Sequence, residues 1–172
     1  MLWKYYGQER PPFAEEVGPG QESVWDYPRP PVAIAETRRV RVESGGRVLA
    51  DSVRVMRLLE TASAPGIYVP REDVDMRFLR RTTAHSLCEW KGEAEYFDVH
   101  TPAGVITRAA WSYPDPSPKF AGIAGYISFY PDRLECYLGD ERVVPQPGGF
   151  YGGWVTSGIA GPVKGEPGTG SW

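Results

Sequence analysis

Proline and glycine interrupt this chain so often that a long helix finds no room in it. There are 17 prolines and 20 glycines in 172 residues. A proline removes a helical hydrogen bond, and a glycine in a helix interior costs about 1 kcal/mol relative to alanine. The balance favours short strands, turns and ordered loops. Aromatic residues at 13% supply the bulk for a core, and 41% apolar with 24% charged residues is ordinary for a soluble globular protein. The length suits one domain, and two would be cramped.

Charge and cysteine content exclude several classes of function. A net charge of −3 argues against a dedicated nucleic-acid binder, which carries a basic face. Cys88 and Cys136 are the only cysteines, too few for a disulfide framework or for a structural zinc site. No metal and no cofactor is expected. The start, Met1 to Tyr6, lacks the apolar stretch of a signal peptide, and no run approaches a membrane span. A cytoplasmic protein is the expectation.

Strand signals dominate the middle of the chain. Arg39 to Val42 alternates at period two, and Ser44-Gly45-Gly46 turns it into Val48-Leu49-Ala50, a hairpin. Between Val53 and Glu60 the alternation is imperfect, so strand and short helix compete. Strand is favoured because Ile67-Tyr68-Val69 follows across the turn Ala64-Pro65-Gly66. Pro70 to Val74 reads as one helical turn, with proline early and acids in the first turn. Further strands are predicted over Ala94–Val99, from Val105 to Trp111, over Ile123–Tyr130 as the central strand, and over Leu134–Leu138. The predicted fold is mainly β: a compact tent-like, sandwich or open-barrel arrangement of short antiparallel strands with at most one or two short helices.

Three segments differ in composition. Residues 1–31 form a proline-rich arm carrying Trp3, Tyr5, Tyr6, Phe13, Trp25 and Tyr27, too many rings for a disordered tail. This arm is expected to pack against the domain or to join a second copy as a homodimer. Residues 32–145 make the β domain. Residues 146–172 are glycine-rich yet keep Phe150, Tyr151, Trp154 and Trp172, so this tail is expected to drape back over the domain.

Three constellations could carry chemistry. In Trp111-Ser112-Tyr113-Pro114-Asp115-Pro116, prolines stiffen a strand exit that bears two rings and a carboxylate. The rings could sandwich a flat ligand, or they could simply fill the core while Asp115 caps a turn. In Cys88-Glu89-Trp90-Lys91-Gly92, Lys91 could enter a pocket and hold an anion, or stand solvated on a hairpin turn. Cys88, three residues after His85, could be nucleophilic only if a neighbour lowered its pKa. Glu60, beside a hydroxyl-rich turn, could act as acid or base, and an ion pair with Arg71 is the plainer expectation. The arginines at 38, 39 and 41 and at 77, 80 and 81 read as solvated faces.

Seven pieces then occur in order: Trp25 to Pro31, Glu60-Thr61, Tyr68 to Val74, Trp90-Lys91-Gly92, Ala110 to Pro116, Ile123 to Tyr126, and Phe129-Tyr130-Pro131. Together they resemble the family known as domain of unknown function 427, over about Trp25 to Leu138, with Phe150 to Trp154, Gly161-Pro162 and Lys164-Gly165 also similar. The resemblance implies a small, mostly β domain, tent-like, with two sheets meeting over a cleft. Zinc, held by paired cysteines in related tent-like folds, is not implied here because those cysteines are missing. The family also carries a nucleotidyltransferase-like label. Enzymes of that kind place a Gly-Ser turn ahead of paired carboxylates, but no Gly-Ser precedes Asp73-Val74-Asp75, and the one Gly-Ser is Gly170-Ser171.

The resulting expectation is a small-molecule site in a cleft. Trp111 and Tyr113 stack on the ligand, Lys91 neutralises an anionic group, Glu60 or Asp115 accepts a hydrogen bond, and Tyr126 completes the lining. The alternatives are a metal-independent enzyme using Lys91, Glu60 or Cys88, and a homodimeric interaction module built on the aromatic arm.

Overall fold

The computed structural model describes residues 3–172. Among them helical geometry is confined to four 3-10 segments, Val24–Asp26, Arg71–Asp73, Met76–Phe78 and Pro118–Ile123, and everything else regular is strand. In chain order the first strands are β1 (Glu22–Ser23), β2 (Val32–Ala35), β3 (Val40–Ser44), β4 (Arg47–Ser52), β5 (Met56–Leu59), β6 (Gly66–Tyr68) and β7 (Leu79–Cys88). They continue as β8 (Gly92–Thr101), β9 (Gly104–Ser112), β10 (Ile127–Phe129), β11 (Glu135–Leu138), β12 (Glu141–Arg142), β13 (Val144–Pro145), β14 (Trp154–Val155) and β15 (Ile159–Ala160).

Three antiparallel sheets form the body, in the orders β10-β9-β8-β7, β12-β11-β3-β4 and β2-β5-β6. Two small ribbons, β13-β14 and the parallel pair β1-β15, complete it, and no sheet closes into a barrel among the described residues. The β3–β4 hairpin turns at Gly45 and Gly46, whose φ values of 55° and 77° are those a tight hairpin turn demands.

The sheet β10-β9-β8-β7 has two buried faces, and side-chain alternation decides which residue serves which. Phe97 and Val99 of β8, with Ala110 of β9, Ile127 and Phe129, pack against Val40, Val42, Leu49 and Cys136 of the sheet containing β3 and β4. Tyr96 and Trp111, cross-strand partners, point to the opposite face with Tyr113 and meet Leu58, Tyr68, Phe120 and Ile123. A third cluster joins the two ends of the chain. Trp25, fully buried, meets Tyr5, Phe13 and Trp172 with ring centroids 5.2, 5.4 and 5.3 Å away. The rings of the arm are thus engaged by the tail of the same chain.

Two expectations about strands need correction. The stretch Ile123–Tyr130 is not a central strand. Gly125, at φ 75°, turns the chain after the 3-10 segment, which leaves only Ile127–Phe129 extended, at the end of its sheet. Conversely, the segment holding Arg80 and Arg81 is part of a ten-residue strand, β7, whose free edge leaves both arginines exposed.

Candidate functional site

The second face of the central sheet encloses a cavity of about 590 Å³. Its ring wall follows period-two alternation: Tyr96 from β8, Trp111 near the end of β9 with Tyr113 just past it, and Tyr68 from β6. Trp111 lies 4.5 Å from Tyr130 and 6.3 Å edge-on from Tyr68, centroid to centroid. Tyr96 is pinned by a 2.8 Å hydrogen bond with Ser86. Burial pushes the phenols of Tyr68 and Tyr113 well above the ordinary tyrosine value, so both remain neutral O–H groups.

Two lysines enter this wall. Lys91 sits on the tight turn between β7 and β8, and the loop after β9 fastens that turn. Ser117 donates its N–H to the Lys91 carbonyl at 3.0 Å and its hydroxyl to the Trp90 carbonyl at 2.8 Å. Only 8% of Lys91 is exposed, with its ammonium 5.5 Å from the Tyr113 ring centroid. Burial is the largest influence and acts against that ammonium, but the groups facing it, the Glu60 carboxylate among them, hold its pKa above the ordinary lysine value.

Lys164 comes from the tail and is 3% exposed. Its Nζ lies 4.4 Å from the ring centroid of Trp3 and 4.8 Å from that of Tyr151. Burial lowers its pKa. Among the described residues neither lysine has a carboxylate within salt-bridge distance.

The tail is held in place by several specific contacts. Ala62, at φ 70°, turns its carbonyl to accept the Lys164 N–H at 2.8 Å. The buried Gln146 donates its amide to the Lys164 carbonyl at 3.0 Å and accepts the Ala64 N–H at 3.1 Å. Gly152 lies flat on the rings, and a Cβ there would come within 2.3 Å of Trp111. The Tyr130 hydroxyl donates to the Phe150 carbonyl at 3.1 Å. From the other end, Trp3 donates its indole N–H to Glu89 at 3.2 Å.

Residues 32–140, well over half of the chain, match the model of a family described as Domain of unknown function (DUF427). The chain belongs to that family. A search of curated proteins gives no match. In this DUF427 protein the matched segment supplies Lys91, Glu60 and the ring wall, whereas Trp3, Gln146, Tyr151 and Lys164 lie outside it.

Of the residues singled out in the DUF427 sequence, Lys91, Glu60, Cys88, Trp111 and Tyr113 all line the one cavity. Asp115 and Tyr126 do not reach it. Asp115 is exposed on the Pro114–Pro116 loop, which packs on the β7–β8 turn, and Tyr126 is half-buried against the second cluster. Glu60 does not pair with Arg71. Its partner is Arg29, at 3.3 Å, a fully buried guanidinium that also donates to the carbonyls of Tyr5, Thr61 and Trp172. Arg71 lies 3.7 Å from Glu95 instead.

His85 pairs with Glu93 in the open, 2.9 Å apart. Asp73 and Asp75, the adjacent carboxylates, are taken by Arg54 and Arg77. No cluster of three metal-ligating side chains occurs among the described residues, and no helix among them is long and apolar enough to cross a membrane. A second hollow of about 400 Å³ is lined by Arg57 and Arg38, which are paired with Glu22 and Glu36.

Sequence reasoning missed Lys164, Gln146 and Trp3 as partners of Lys91. Nothing local marks them, because they lie more than 50 residues from Lys91 in the chain.

Proposed function

We propose that the DUF427 cavity binds a small anion with a flat, largely apolar body. The observation that carries this reading is the pair of buried lysines, Lys91 and Lys164, facing one ring-walled cavity with no carboxylate within salt-bridge distance of either among the described residues. A buried charge without a close partner is costly, and an incoming anion offsets that cost. The rings of Trp111, Tyr113 and Tyr68 present π-faces for the flat part of the ligand. Neutral phenols supply hydrogen bonds that fix its orientation.

Thermal unfolding in the presence of benzoate, phenyl phosphate and the neutral analogue benzamide tests the reading. A ligand at about a hundred times its Kd stabilises the fold by about 2.7 kcal/mol, a rise in Tm of roughly 5–11 °C for a chain of this size. Benzoate or phenyl phosphate raises Tm, benzamide does not, and Lys91→Met removes most of the gain while Trp111→Phe reduces it. Equal shifts from benzamide and benzoate, or shifts untouched by Lys91→Met, overturn the reading.

Chemistry without a metal is a second reading, favoured by Lys91, Glu60 and Cys88 lining the same cavity. It requires turnover that survives chelators and is lost in Cys88→Ser or Glu60→Gln.

A further inference from the structure

In the binding scheme Lys164 contributes only charge, yet its surroundings suit a different use. The amine is buried, carries no salt bridge among the described residues, and is held between the rings of Trp3 and Tyr151 at 4.4 and 4.8 Å. It lines the same cavity as Lys91, which holds its own proton. Four charged groups face it: Arg29 and Lys91 disfavour its protonation, and Glu60 and Glu89 favour it. Burial adds to the first pair, and the balance lowers its pKa. An amine desolvated beside other cations is the arrangement in which lysine becomes a nucleophile.

We propose that Lys164 captures anionic carbonyl compounds, aldehydes or ketones bearing a carboxylate, as an imine while Lys91 holds the carboxylate. The proposal rests on the anion-binding reading above. The neutral Nζ attacks the carbonyl carbon as the C=O π pair moves onto oxygen, giving a carbinolamine. The two nitrogen protons pass in turn to that oxygen, which leaves as water, and the nitrogen lone pair forms the C=N bond. One water is released, and nothing is oxidised or reduced.

The chain has four lysines, Lys4, Lys91, Lys119 and Lys164, so the site of capture can be read by peptide mass mapping. The full-length protein is incubated with para-formylbenzoate and cyanoborohydride, which reduces an imine to a stable amine. Lys164 should be labelled several-fold faster than the exposed Lys4 and Lys119, because burial and the neighbouring cations favour its neutral amine and the cavity gathers the anionic aldehyde beside it. Lys164→Arg, which keeps the charge and the bulk, should lose the label, and Lys91→Met should lose the preference for para-formylbenzoate over benzaldehyde.

Binding is followed separately by the Tm shift with para-hydroxymethylbenzoate, which has no carbonyl. If that compound stabilises the protein but Lys164 is labelled no faster than Lys4 and Lys119, the imine proposal is overturned and the binding reading stands. If neither stabilisation nor selective labelling occurs, both fall. Labelling concentrated on Lys91 overturns the assignment to Lys164.

Discussion

Glu60 serves two surroundings at once. On one side its carboxylate meets Arg29, whose side chain is fully buried, and on the other it lines the cavity shared by two lysines. Glu60→Gln separates these roles by sign. Leaving Arg29 with carbonyl acceptors alone should cost about 1–3 kcal/mol, the penalty for stripping a partner from a buried charged donor, read as a lower denaturation midpoint. The same change takes a negative charge off the cavity wall, so benzoate should bind several-fold tighter. Weaker benzoate binding would show that Glu60 contacts the ligand directly. Sequence proximity favoured Arg71 as the partner of Glu60. The actual partner lies 31 residues upstream and is brought in by the fold of the arm, a placement that local spacing cannot encode.

At the scale of elements, the β7–β8 hairpin decides whether Lys91 works. Its burial was not legible, because a lysine between Trp90 and Gly92 is equally at home on a solvated turn. What buries it is the loop after β9, through the two hydrogen bonds from Ser117. The turn depends on Gly92, at φ 108°, where a Cβ would meet nothing closer than 3.7 Å. Gly92→Ala is therefore penalised by backbone conformation rather than by a clash, at about 1–2 kcal/mol or roughly 2–8 °C in Tm. The variant should also lose most of the stabilisation by benzoate, because Lys91 is displaced. Full retention of that stabilisation would show that the turn does not set the lysine's position. Clean alternation made the β3–β4 hairpin and the cores of β8 and β9 readable. The polar run from Arg80 to Ser86 concealed β7, because an edge strand need not bury every second residue.

The whole molecule is less divisible than its composition suggests. The glycine-rich tail supplies Trp154, 1% exposed, to the core between the two large sheets, where its indole donates to the Phe129 carbonyl at 3.1 Å. Trp154→Ala should cost about 3–5 kcal/mol. Unfolding of the parent should be a single transition, coincident by tryptophan fluorescence and far-UV circular dichroism. Two resolved transitions would mean that the tail and the sheets are separate units. Composition identified the tail's rings as buried material, but which core they enter follows from long-range packing.

The two segments most distant in sequence lie side by side. Lys4 donates its backbone N–H to the Ser171 carbonyl at 2.9 Å, beside the ring cluster of Trp25 and Trp172. A donor and an acceptor dye attached near these positions would therefore sit in close proximity in the native state. Loss of energy transfer between them would report the ends parting, even while the sheets beneath remained intact.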